Sequence, residues 1–336
     1  MEALPPVTAQ TFDEAEAEAI FAAILDQQVG DAAIGAFLVA LSDRGETASE
    51  IAGAARAMRA RVIPVAAPDN AIDVCGTGGD GQHSLNVSTA VAIVVAACDV
   101  PVAKHGNRAA SSKAGAADTL EALGLNLAKA GEYAAQTLAD IGIAFLFAQS
   151  HHPCLKHIAP IRKALGRRTI FNLMGPLANP AGVTRQLVGI ARPAYVPIYA
   201  QALMRLGTGR SFVVSGDEGL DELSLAGGNE WADIAGDTLA MKRVCAADAG
   251  LDTWPMAAIR GGDAAYNAAA LRRLLMGLTE TEQDRAYRDA VLFNAAGALM
   301  VAGAAADWRE GVEEAAEAID KGLAKGLLDC WIKACS

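Results

Sequence analysis

Asp73-Val74-Cys75-Gly76-Thr77-Gly78-Gly79-Asp80 decides how this chain is read, together with Lys104-His105-Gly106-Asn107-Arg108 a short way on. Ile72 to Cys75 read as a short strand that runs into a glycine turn. Gly76, Gly78 and Gly79 let the backbone take positive φ and bring its N–H groups close to a ligand. Ser84, Asn86, Val87, Ser88 and Thr89 lead into the apolar run Ala90 to Cys98, read as a buried helix. Its N-terminus offers unpaired N–H groups and partial positive charge, which favour an anion. A second strand, Val100 to Ala103, delivers Lys104, His105, Asn107 and Arg108 to the same sheet edge. Ser111, Ser112 and Lys113 then open another helix. Strand, glycine turn and helix N-terminus, twice over, describe a site for a multiply phosphorylated ligand. Neither the Walker P-loop nor the Gly-x-Gly-x-x-Gly dinucleotide fingerprint is present. A lone Gly-x-Gly-Gly also serves as ordinary punctuation of an α/β chain.

Outward from this centre, strands and helices alternate. Strands are predicted at 72–75, 100–104, 143–148, 186–191 and 211–215. Helices are predicted at 88–98, 112–123, 131–140, 153–165, 196–206, 264–276, 282–302 and 307–325. Such alternation gives an α/β fold, a mostly parallel sheet with ligands at the carboxyl ends of its strands. Residues 224–262 read only as irregular β structure. Upstream, residues 11–64 read as three helices. Thr11 with Glu14 is expected to cap the first and Gly30 to end it; Asp31 caps the second and Gly45 closes it. Thr47 with Glu50 caps the third, and Pro64 stops it. Residues 66–70 read as a linker, which leaves a small all-α domain ahead of a larger α/β domain.

Composition narrows the function. The 336 residues are 52% hydrophobic, enough for a sizeable core, and 5% aromatic, poor material for stacking on bases. A net charge of −11 argues against nucleic acid as the main partner. No signal peptide or membrane span is read, and the six cysteines form no Cys-x-x-Cys pair; reduced thiols in a cytoplasmic protein are expected. Charge is unevenly placed: between Ile141 and Gly216 there is no Asp or Glu, while Arg162, Lys163, Arg167 and Arg168 lie within it. That run is either a solvated basic face or a positive potential that draws in an anionic substrate.

Gly-Thr-Gly-Gly-Asp, Asn-Val-Ser-Thr, Lys-His-Gly-Asn-Arg with Ser-Ser, and Gly-Leu-Asp-Glu-Leu-Ser in this order resemble the anthranilate phosphoribosyltransferases, over nearly the whole chain. The resemblance implies phosphoribosyl pyrophosphate (PRPP) as donor, held by Gly76, Gly79, Asp80, Ser84, Asn86, Val87, Ser88, Thr89, and by Lys104, His105, Gly106, Asn107, Arg108, Ala109, Ala110, Ser111, Ser112 and Ala116. The family usually carries Ser where this chain has Ala116, which removes one hydroxyl from the phosphate site. It implies Mg²⁺, two ions, at Asp221 and Glu222 with Ser88 as a further contact. Anthranilate is expected against Gly76, His105, Asn107, His152 and Pro176, its carboxylate on Arg162, with Arg168 the competing anchor. His83 and His157 are given no role. The family organisation adds about 157–181 to residues 1–69 as the helical domain and leaves 70–156 with 182–336 as the α/β domain; it also implies a homodimer. The implied reaction is the second step of tryptophan biosynthesis from chorismate. The rivals are a pyrimidine-nucleoside phosphorylase, which needs neither a carboxylate anchor nor a magnesium pair, and a nucleic-acid-binding relative.

Overall fold

The computed structural model describes residues 4–109 and 113–336; the expected donor contacts Ala110, Ser111 and Ser112 lie outside the described residues. Three helices open the chain: Glu14–Leu25, Asp31–Arg44 and Ala48–Arg59. Their caps partly correct the expectation. The first box is Asp13 with Glu16, each side chain 2.9 Å from the other's N–H, and not Thr11 with Glu14. Phe12 lies between, its N–H bonded to the buried Glu50 at 3.0 Å, so the chain is still entering the bundle there. Gly30 is the N-cap of the second helix, not the end of the first. Thr47 and Glu50 form the expected box, but the third helix ends at Arg59, before Pro64.

The sheet comprises β1 (Ile72–Gly76), β2 (Val102–Gly106), β3 (Ile143–Phe147), β4 (Arg185–Gly189), β5 (Arg210–Gly216), β6 (Gly228–Ala235) and β7 (Thr238–Cys245). Their order is β3-β2-β1-β4-β5-β6-β7. The first five are parallel, and β6 and β7 are antiparallel. This hairpin replaces the irregular reading of 228–245. The edge strand β7 is mostly exposed, so it lacks the apolar alternation that marks a half-buried strand. Because the chain builds β2 and β3 on one side of β1 and then crosses to β4 on the other, the loops after β1 and β4 part. A crevice for ligand opens at such a switch point.

Alternating side chains split between the faces. Ile72, Val74, Val102, Phe145, Leu187, Phe212 and Val214 pack with the helices Val87–Ala96 and Glu282–Ala302. On the other face Val188, Val213 and Ile234 join the three N-terminal helices and Ile158, Ile161, Ile170, Phe171 and Met174 in one core. Several predicted helices are divided or shortened. Residues 131–140 hold parts of Leu127–Glu132 and Ala134–Ile141. Residues 153–165 become a 3-10 turn and the helix Ile158–Leu165. Residues 307–325 fall in Trp308–Asp320 and Leu323–Ala334, broken at Gly322 with φ 71°. The helix expected from 112 runs from Ala116 to Leu123.

Candidate active site

Strand β1 ends at Gly76, and Gly78, Gly79 and Gly81 follow at φ of 74°, 73° and 76°. L side chains rarely adopt this left-handed region, which accounts for the glycines. The loop after β5 lies across the ends of β1 and β4. A Cβ on Gly76 would stand 2.1 Å from Asp221 Oδ2, and one on Gly189 1.7 Å from the Asp221 carbonyl oxygen. Gly78 N–H donates to Asp221 Oδ2 at 2.6 Å, and Ser88 N–H at the head of the helix donates to Glu222 Oε1 at 3.2 Å. Gln82 adds a bond to the Glu218 carbonyl at 2.9 Å. The carboxylate pair therefore faces the glycine turn and the helix N-terminus.

Strand β2 places consecutive residues on opposite faces. The buried Lys104 donates to the Val74 carbonyl at 2.7 Å and to Ser88 Oγ at 3.2 Å, on the side of the helix N-terminus. Thr89 is buried there with Oγ1 unpartnered among the described residues. His105 points to the other side. Its Nδ1–H donates to the Gly175 carbonyl at 2.8 Å, and its Nε2 lies 3.3 Å from His152 Nε2. Pro176 is buried beside Gly175 and accepts from Gln186 at 2.7 Å. Desolvation, then the neighbouring His152, lowers His105 to about 3; desolvation, then His151, lowers His152 to about 4. Both imidazoles are neutral near pH 7. One proton between the two Nε2 atoms suffices, donated by His152 to His105.

Asp221 and Glu222 are both raised above the ordinary carboxylate range. Desolvation is the first cause for each, followed by Asp80 for Asp221 and by Asp221 for Glu222, with Lys104 opposing at Glu222. Two adjoining, desolvated carboxylates that repel one another fit a hard divalent cation. No cluster of three or more His, Cys, Asp or Glu that could hold a metal occurs among the described residues. Two carboxylates suit Mg²⁺, which completes its shell with water and substrate phosphate oxygens.

The other expected residues divide. Asn107 Oδ1 accepts from the Arg108 N–H at 2.8 Å, and Gly106 packs against Phe145 and Ala116. Arg108 pairs with Asp118 at 2.9 Å and Glu121 at 2.5 Å, so its guanidinium is turned onto the helix Ala116–Leu123. Asp118 also accepts from Ala109 N–H at 3.0 Å and Gly115 N–H at 2.9 Å. Val87 is buried, so only its backbone is available to a ligand. Arg162 is half-buried, desolvation lowers its pKa below the usual arginine value, and its side chain has no ion pair or hydrogen bond among the described residues. Arg168 is engaged: Nη1 donates to the Gly79 carbonyl at 2.7 Å and Nη2 to that of Gly78 at 3.1 Å. It clasps the glycine turn, a role the sequence reading did not give it.

Two more groups escaped the sequence reading. Asp73, fully buried, accepts from His105 N–H at 3.1 Å and Asn179 Nδ2 at 2.8 Å, and so locks β1 to β2 beneath the site. Thr119 and Asn267 bond Asn86. Each is a polar residue on an otherwise apolar helix face, beside Ala117 and Leu120 or Ala268 and Leu271, and that break in pattern was the available signal.

The two parts of this arrangement, a helical bundle and an α/β sheet, are those of the glycosyl transferase family. Residues 68–325 match the a/b domain of the glycosyl transferase family and residues 7–62 its helical bundle domain. The chain is 72% identical over 331 residues to the anthranilate phosphoribosyltransferase of Novosphingobium aromaticivorans, covering 98% of this chain and 99% of that one. A crystal structure of the Thermus thermophilus enzyme of that name superposes with a TM-score of 0.89 at 40% identity, covering 97% of each chain. The Saccharomyces cerevisiae enzyme in complex with PRPP and Mg superposes at 0.88 and 28% identity, covering 96% of this chain and 93% of that one. The chain belongs to the anthranilate phosphoribosyltransferase family.

Proposed function

We propose that this chain transfers the 5-phosphoribosyl group of PRPP to the amine of anthranilate and releases pyrophosphate, within tryptophan biosynthesis. The observation that carries the reading is the facing of the glycine turn and helix N-terminus by Asp221 and Glu222. Phosphoryl oxygens need N–H donors and cations, and both are offered within one crevice. In this reading Gly76, Gly79, Asp80, Ser84, Asn86, Ser88, Thr89, Lys104 and the segment from Asn107 hold the donor. Asp221 and Glu222 with Ser88 hold magnesium, two ions, which neutralises charge on the departing pyrophosphate when bound. Lys104 adds a fixed positive charge beside Ser88.

On the opposite face of β2, His105, His152 and Pro176 wall the aromatic acceptor, and Arg162 pairs with its carboxylate. An arginine already partly desolvated and unpaired supports this choice over Arg168, which holds the glycine turn. The neutral imidazoles suit an aromatic amine that must keep its lone pair for attack on the anomeric carbon. Catalysis then consists of positioning the amine and stabilising the leaving group. Residues 1–69 with about 157–181 form the helical domain, and 70–156 with 182–336 the α/β domain. The chain works as a cytoplasmic homodimer through its helical domain; a monomer mass by light scattering at micromolar concentration counts against that.

The direct test is release of pyrophosphate from PRPP, measured with and without anthranilate. Release that requires anthranilate is expected. Release driven instead by phosphate or a nucleobase, or none at all, overturns the assignment.

A further inference from the structure

We infer that Asn267 and Thr119 are positioning residues for the phosphoribosyl donor: together they fix which end of the Asn86 carboxamide faces the phosphate cradle. Hydrogen-bond direction dictates the arrangement. Gly262 N–H can only donate, and it donates to Asn267 Oδ1 at 2.8 Å. That contact fixes the Asn267 amide and makes its Nδ2 the group that reaches Asn86, at 2.8 Å. Asn86 must then present Oδ1 to Asn267. The Thr119 hydroxyl donates to the same oxygen at 2.6 Å. Two donors saturate a carbonyl oxygen. The Asn86 NH₂ is thereby turned the other way, where one hydrogen reaches the Ala114 carbonyl at 3.3 Å and the other has no partner among the described residues. An N–H donor at the head of the helix Val87–Ala96 suits a phosphoryl or ribose oxygen; a carbonyl there would repel it.

The surroundings leave Asn86 little freedom. Thr119 and Asn267 are 0% and 2% exposed, so neither can exchange its bond for one to water. The Tyr287 hydroxyl holds the Asn86 carbonyl at 3.1 Å. Just upstream, Leu85 N–H bonds Ile259 O and Gly261 N–H bonds His83 O, each at 2.8 Å, around the antiparallel bridge of Ser84 with Arg260. A Cβ on Gly261 would stand 2.6 Å from the Ser84 carbonyl oxygen, so the two segments meet as closely as backbone allows. The segment 259–267, far along the chain from the glycine turn, thus sets the attitude of residues 84–86.

This inference rests on the reading that PRPP occupies the cradle with Asn86 as a contact. Asn267→Asp keeps the acceptor for Gly262 and replaces the donor by an acceptor, which opposes Asn86 Oδ1. Thr119→Val removes the hydroxyl at nearly constant shape. Each is expected to weaken PRPP binding roughly three- to tenfold, the worth of one hydrogen bond, by calorimetry with magnesium and no anthranilate. KM for anthranilate at saturating PRPP should change by less than about twofold, since the acceptor bonds elsewhere. In an Asn86→Ala background both substitutions should lose their effect on PRPP, because they act through Asn86. If Asn86→Ala weakens PRPP but Asn267→Asp and Thr119→Val do not, the relay is wrong and the donor site stands. Full additivity with Asn86→Ala also overturns it. If Asn86→Ala leaves PRPP binding unchanged, the reading of Asn86 as a donor contact fails and takes the relay with it. Should Asn267→Asp not fold, Thr119→Val decides the question alone.

Discussion

The backbone N–H of Gly78 donates to Oδ2 of Asp221 at 2.6 Å, across 143 residues of sequence. The glycine turn and the carboxylate pair are therefore one mechanical unit, and its fit depends on missing side chains. Gly189→Ala puts a methyl 1.7 Å from the Asp221 carbonyl oxygen, against backbone that has no flexible end to yield. The loop carrying Asp221 and Glu222 must shift. Because misplacement by about 1 Å costs on the order of a hundredfold in rate, activity should fall at least tenfold. The magnesium concentration for half-maximal rate should rise, as read in a metal titration of the steady-state rate.

Asp221→Asn with Glu222→Gln removes the repelling charges and keeps the shapes. The double variant should fold at least as well as the parent without metal, since the desolvated like charges oppose folding. Its turnover should lose its magnesium dependence and most of its rate. Thermal unfolding with and without Mg²⁺ separates the two effects: the parent should gain Tm with the metal and the variant should not. A parent-like magnesium titration from the variant would remove the pair from the metal site.

Arg162 and Arg168 should fail in different ways. If Arg162 holds the anthranilate carboxylate as proposed, Arg162→Ala removes a charge-assisted, two-pronged contact, worth on the order of 1.5–3 kcal/mol. The expected result is at least a tenfold loss in kcat/KM for anthranilate with PRPP affinity preserved. Lys104→Ala should show the reverse, weaker donor binding and slower turnover.

Arg168→Ala instead frees the Gly78 and Gly79 carbonyls from their clasp. The glycine turn loosens, and the Kd for PRPP should rise at least about threefold, since the two lost bonds are to a charged group but act on the ligand only through the turn. KM for anthranilate should hardly move. If anthranilate suffers and PRPP does not, Arg168 is the carboxylate anchor.

The buried histidines give the fold an acid limit. His105 and His152 are depressed to about 3 and about 4, so native protein takes up protons less readily than the unfolded chain. A depressed histidine contributes its stability fully above the unfolded value near 6.5 and loses it as pH falls toward the folded value. At pH 5 the loss should be on the order of 1–2 kcal/mol for each imidazole. Groups acting on His105 include His151 and Lys104, both of which oppose its charging. His105→Asn should flatten the slope of Tm against pH between about 6.5 and 4; an unchanged slope would place the acid sensitivity elsewhere.

The family resemblance, and not residue order, singled out the Asp221-Glu222 pair, which otherwise reads as an ordinary solvated acidic loop; residue order alone determined the alternation of β1 to β5 with helices, the glycine turn and the Thr47 cap. Those features are local: positive φ needs glycine, a cap needs a side chain three residues from its target, and a buried strand is apolar over a few residues. Tertiary structure decided the pairings. Lys104 and His105 are neighbours in sequence, yet the pleat of β2 sends one to Ser88 and the other to Gly175, on opposite faces of the sheet. Arg168 became a clasp because two glycine carbonyls stood within its reach, and Arg162 remained unpaired because none of the described acids did. Asn267 reached Asn86 because 259–261 pairs with 83–85. Such contacts join residues tens to hundreds of positions apart, and periodicity within a short window carries no information about which distant acceptor will lie opposite a given donor.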